Sequence, residues 1–131
     1  MWTERFAGEV AAVREAVGAL EIANFAKHEF KGPGARVFLN HVLAGRMPKQ
    51  GRVALTPMLT PKGKLYGDLT VACLGDEHYM LFGSGAAQEM HRRWFERHLP
   101  EAGVAYTNVT DHWHGFALSG PNSRALLSRI T

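Results

Sequence analysis

The chain has 131 residues, which suits one compact domain, and 46% of them are apolar, enough for an ordinary hydrophobic core and too many for a disordered chain. Its formal net charge of +3 is too small to argue for nucleic acid, although it suits a polyanionic small ligand. The single cysteine, Cys73, excludes an internal disulfide, and no apolar run approaches the roughly 18–20 residues of a membrane helix.

Residues 3–17 are predicted helical, because Phe6, Val10, Val13 and Val17 recur at helical spacing between a Thr3 cap and a Gly18 stop. This forms an N-terminal helical segment within residues 1–18. Residues 20–31 read as extended, and Gly32-Pro33-Gly34 breaks the chain before a helix over 34–44. Residues 52–59 and 64–74 flank Thr60-Pro61-Lys62-Gly63, whose Pro and Gly fit a hairpin turn. A short strand at 78–82 leads through Gly83-Ser84-Gly85 into a helix at 86–98, with Met90, Trp94 and Phe95 as its apolar stripe. Strands at 103–109 and 113–119 follow. Gly120-Pro121 opens a last helix, whose inner face would carry Leu126, Leu127 and Ile130. The order α-β-α-β-β-β-α-β-β-α predicts a single α+β domain over residues 1–131, with helices packed on a mostly antiparallel sheet.

Few motifs carry chemistry. Gly83-Ser84-Gly85 lacks the third glycine of a dinucleotide loop and the spacing of a nucleophile elbow, so it reads as a turn and helix start. His112 and His114 would share a strand face, but without the three or four convergent ligands zinc requires; no metal is expected. His91, Arg92, Arg93, Arg97 and His98 give the 86–98 helix a basic surface, read as a solvated face or as a docking site for an acidic partner or ligand tail.

Asp68 stands out. It lies in Leu65-Tyr66-Gly67-Asp68-Leu69-Thr70-Val71, within a strand, where aspartate is depleted. Alternation would put Tyr66, Asp68 and Thr70 on one face. Such a carboxylate either points to water or is held in a pocket, and the pattern leaves both open.

The run Met58 to Val71 resembles the central hairpin of the glycine-cleavage T-protein (aminomethyltransferase) family, in the version fused to dimethylglycine and sarcosine dehydrogenases. Three further stretches agree in order and spacing: Phe25-Ala26-Lys27 with Gly32-Pro33-Gly34-Ala35, Pro48-Lys49-Gln50-Gly51-Arg52-Val53, and Ser119-Gly120-Pro121-Asn122-Ser123-Arg124 with Leu126-Leu127. The resemblance implies a tetrahydrofolate site that forms 5,10-methylenetetrahydrofolate from an aminomethyl or iminium donor. It implies that Asp68 is the acid facing the reactive end of the folate, and that Phe25, Leu55, Met80 and Phe82 line the folate pocket. Phe25 and Met80 differ in type from the family's residues there, and Glu21-Ile22-Ala23 stands where the family reads D-x-S. The family's Y-T-G-E segment and a later arginine would fall beyond Thr131, so a partial site is expected, with no flavin site in the chain. By the same resemblance, a flavin-dependent dehydrogenase domain or subunit is an expected partner. An alternative is a non-catalytic folate-binding or subunit-assembly module, in which an apolar face pairs with a second copy or another subunit. Neither nucleic acid nor membrane is an expected partner. The expected location is the cytoplasm, or the mitochondrial matrix in a eukaryote.

Overall fold

A computed structural model describes residues 2–131. They form two units, one comprising the N-terminal residues through Ala23 with His114–Thr131, the other Asn24–Trp113. The predicted element order holds, except that the extended segment at 20–31 is two strands separated at Ile22–Asn24. No helix among the described residues is long and apolar enough to cross a membrane.

The first unit contains α1 (Trp2–Glu15), β1 (Gly18–Glu21), β7 (Phe116–Ser119) and α4 (Ser123–Leu127). β1 and β7 pair antiparallel, Gly18 opposite Ser119 and Glu21 opposite Phe116. Gly120 adopts φ +128°, and a side chain there would collide with the Ala16 carbonyl, so the turn into α4 requires glycine. Both helices form where the sequence places them, but their apolar stripes are not sealed. No residue of α1 is buried, and of the α4 stripe only Leu126 is partly covered while Leu127 and Ile130 are exposed.

The second unit is a five-stranded, wholly antiparallel sheet in the order β3-β4-β5-β2-β6. Its strands are β2 (Phe25–Lys31), β3 (Val53–Leu59), β4 (Leu65–Gly75), β5 (His78–Ser84) and β6 (Ala105–Asn108). The β3–β4 turn closes as the sequence predicts. Gly63 takes φ +71° and donates its N–H to the Thr60 carbonyl at 2.8 Å. α2 (Ala35–Val42) and α3 (Gln88–His98) carry the apolar side chains that cover one sheet face. α2 buries Phe38, Leu39 and Val42, and α3 buries His91 and Phe95. They meet Phe30, Met58, Leu69, Val71, Tyr79 and Leu81 in one cluster. Each such side chain stabilises the fold by about 1.5–3 kcal/mol through burial.

β3 is an edge strand, and its outer rim is partly closed by the chain itself. The Ala44 N–H donates to the Pro57 carbonyl at 2.8 Å, and Pro57 has no N–H to offer a further strand.

Candidate functional site

Strand alternation and register decide which side chains share a face. The helix-covered face takes Thr56 and Met58 of β3, Leu69, Val71 and Cys73 of β4, Tyr79 and Leu81 of β5, and His28 and Phe30 of β2. The intervening residues belong to the other face. There Leu55 pairs with Thr70, Thr70 with Phe82, and Phe82 with Lys27, which makes one row across four strands. The neighbouring row joins Val53, Ala72, Met80, Glu29 and Thr107. On the other side, Pro57 pairs with Asp68 and Ser84 with Phe25.

Asp68, Phe25, Leu55, Met80 and Phe82 therefore all lie on the sheet face opposite α2 and α3. Asp68 and Phe82 are diagonal neighbours through Thr70, a relation that spans roughly 7–8 Å. Burial is graded across the group. Met80 is 6% exposed and Phe82 half-buried, whereas Phe25 is 45% and Leu55 71% exposed. The Asp68 side chain is exposed and makes no hydrogen bond or ion pair among the described residues, so of the two settings left open by pattern it takes the water-facing one.

Tyr66 does not share that face. β4 carries one extra residue between Leu65, opposite Leu59, and Gly67, opposite Met58. The bulge re-aims Tyr66, whose ring lies 4.7 Å from Trp94 of α3. A simple alternation count cannot see such an inserted residue.

His91 is also not part of a solvated basic face. It is 1% exposed and packs beneath the sheet. A β-carbon added at Gly67 would stand 2.5 Å from its Nε2, and one added at Gly83 would stand 3.1 Å from its Nδ1. Two strand glycines thus open room for the imidazole, on the reverse side from Asp68. Burial lowers the His91 pKa, and the Asp68 charge opposes that shift. Beside it lies His28, also buried, with ring centroids 6.1 Å apart. Its Nδ1 is 2.8 Å from the Tyr106 hydroxyl. Burial, helped by His91, brings the His28 pKa down to about 4. Both histidines are therefore neutral bases at physiological pH.

Lys27 is a third group that residue pattern alone did not single out. Although it sits on the open face, in the row of Leu55, Thr70 and Phe82, it is only 5% exposed. Its ammonium donates to the Phe25 carbonyl at 2.8 Å and the Thr110 carbonyl at 3.4 Å. Thr110 begins a 3-10 turn, Thr110–His112, that folds back onto β2. That turn also removes His112 from a strand, so the expected strand-borne pair with His114 does not form. His114 instead lies 3.4 Å from Glu21 through its Nδ1. The signal for Lys27 was its place two residues after Phe25 and two before Glu29, a charge at an alternating strand position.

The family model described as GCVT N-terminal domain matches residues 1–131. Mitochondrial dimethylglycine dehydrogenase of Mus musculus is 32% identical over 133 residues, covering 99% of this chain and 15% of that protein. An aminomethyltransferase of Chloroherpeton thalassium is 32% identical over 125 residues, covering 94% of this chain and 34% of that one. The crystal structure of glycine cleavage system aminomethyltransferase T from Bartonella henselae shares the fold with a TM-score of 0.75, at 20% identity, over 93% of this chain and 34% of that chain. The chain thus spans about a seventh to a third of the length of these relatives.

Proposed function

The chain belongs to the GCVT N-terminal domain family, and from that membership we propose that it supplies part of a tetrahydrofolate-dependent aminomethyl-transfer site, with Asp68 as the acid that faces the reacting amine. The observation that supports this reading is the sheet register, which gives Asp68, Phe25, Leu55, Met80 and Phe82 a common face. We take residues 1–131 to act as one domain within that site.

These residues fit a flat, amine-bearing heterocycle. Met80 and Phe82 offer a covered apolar floor, and soft or planar side chains suit a pterin ring. Phe25 and Leu55 present exposed apolar surface beside it, which a bound ring would remove from water. Bound tetrahydrofolate supplies the nitrogen nucleophiles that take up a one-carbon unit. Asp68 stabilises the positive charge that grows on the attacking amine and accepts its proton when the new carbon–nitrogen bond is complete. Once water is displaced from this face, that charge interaction strengthens because the local dielectric falls. Phe82 and Met80 fix the ring against the carboxylate, which makes the attack a matter of proximity. In a dehydrogenase setting, a flavin-dependent domain would release the one-carbon unit from an N-methyl amine. In a glycine-cleavage setting, the donor would be an aminomethyl carrier.

A second reading, a non-catalytic assembly module, is favoured by one observation: Val53 and Leu55 expose apolar side chains along the β3 edge of the same face. Calorimetric titration of the folded chain with tetrahydrofolate separates the two. Saturable binding whose affinity Asp68→Asn reduces tenfold or more, on the scale of one lost charge-assisted contact, supports the folate reading. A flat response at millimolar folate, with a self-associated species in light scattering, supports assembly.

A further inference from the structure

The outward side of α3 carries a feature that the folate reading does not use. Tyr66, turned by the β4 bulge, packs at a tilt against Trp94, and the Trp94 ring is in turn 4.4 Å from that of His98. Beside these rings runs a groove of about 280 Å³ lined by Tyr66, Glu89, Met90, Arg93, Trp94 and Arg97. Its walls are electrically unequal. Arg92 holds Glu89 at 2.9 Å and also Glu96 at 2.6 Å. Arg93 and Arg97 are exposed and enter no hydrogen bond or ion pair among the described residues. The groove therefore has an apolar floor, and its rim carries two arginines that no carboxylate pairs by direct contact, Arg93 feeling Glu89 only at longer range.

The spacing of those charges narrows the occupant. Arg93 and Arg97 stand one helical turn apart, roughly 5–6 Å between β-carbons. In an extended peptide, side chains on one side recur every second residue, roughly 6.6–7 Å apart. A strand laid along the groove would set one series of side chains down on Tyr66, Met90 and Trp94. The alternate series would rise toward the arginines, whose planar guanidiniums match carboxylates. A small free anion would satisfy the arginines and leave the apolar floor unused. We propose that this groove docks an acidic linear segment of a partner protein, in which carboxylate and apolar side chains alternate.

A dye-labelled, end-capped peptide of alternating glutamate and leucine is the probe, titrated into the folded 131-residue chain at low salt and followed by fluorescence anisotropy. Saturable binding is expected. It should weaken roughly tenfold or more in Arg93→Glu/Arg97→Glu and fall with added salt. Lys62→Glu/Lys64→Glu, which makes the same change of net charge in the exposed β3–β4 turn, should leave it intact. Circular dichroism checks folding, and Arg93→Gln/Arg97→Gln repeats the test if the reversal fails to fold. The proposal is overturned by no binding at millimolar peptide, by equal binding in the arginine variants, or by equal binding of a glutamine–leucine peptide. Displacement of the peptide by free glutarate at equal concentration would also overturn it, since the site would then take small anions. None of these outcomes depends on tetrahydrofolate, so the folate reading stands or falls separately.

Discussion

Gly67 and His91 occupy a single space between β4 and α3: the imidazole stands where a side chain on residue 67 would begin, 2.5 Å from its first carbon. Gly67→Ala is therefore an overpacking change, expected to cost about 1–3 kcal/mol. Urea unfolding of Gly67→Ala, His91→Ala and the double variant forms a cycle. The double variant should lose less than the sum of the singles, because each change relieves the other. Additive losses would mean that the two residues do not share that space.

Stability should fall in acid, and His28 sets the window. Its folded pKa of about 4 lies below its ordinary value of 6.5, so between those values the unfolded chain holds a proton that the folded chain does not. The contribution is complete above pH 6.5 and is lost as the pH falls through 4. Over that window the loss would reach about 3 kcal/mol, at about 1.4 kcal/mol per pH unit. Lowered by burial, His91 acts in the same direction. Denaturant midpoints from pH 7 to 4 should decline, and His28→Phe, which keeps a ring against Phe95 and Tyr106, should flatten the decline. An unchanged slope in that variant would assign the acid sensitivity to other groups.

Asp68→Asn should leave folding almost untouched, within about 0.5 kcal/mol, because the side chain is exposed and makes no hydrogen bond or ion pair among the described residues. Any loss of ligand binding in this variant can then be read as chemistry. A second readout lies through the sheet. The Asp68 charge raises the His91 pKa, so removing it should lower that value further, visible in the ring proton shifts. If the His91 titration does not move, the two groups are not in electrostatic contact.

Lys27→Met should loosen the Thr110–His112 turn. The ammonium bridges the Phe25 and Thr110 carbonyls, and these partly buried acceptors lose their charged donor. The cost expected is about 1–3 kcal/mol. Amide exchange at Val109, which donates to the Lys27 carbonyl at 2.9 Å, should quicken. Equal exchange in both proteins would mean that the backbone bonds alone hold the turn.

What could be read from the residues follows the range of the interaction that decides each feature. The β3–β4 hairpin is specified locally by Pro61 and Gly63, whereas of the expected α3 stripe only Phe95 is buried, Met90 being exposed, Trp94 partly covered, and His91 taking the inward place. The order of elements and the antiparallel sheet hold as predicted. Tyr66 and His91 depend on partners distant in sequence. The inserted residue in β4 is defined only against β3, and the imidazole's inward turn only against glycines on two strands. The α1 and α4 stripes show the converse: spacing forms a helix, but nothing in it states what will cover the apolar side. For the candidate site, alternation placed Asp68 and Thr70 together correctly, yet the water-facing setting of the carboxylate and the covered Lys27 required the three-dimensional sheet.

β4 has one more consequence, for how this protein can change over time. Leu69, Val71 and Cys73 face the helices, while Asp68, Thr70 and Ala72 face the other way. Adjacent positions in a single strand are therefore answerable to separate demands. A saturation library along 68–73, sorted once for abundance and once for ligand capture, should yield two interleaved combs with period two, each nearly silent where the other is loud. Such a strand can exchange one ligand specificity for another, residue by residue, without renegotiating its own folding.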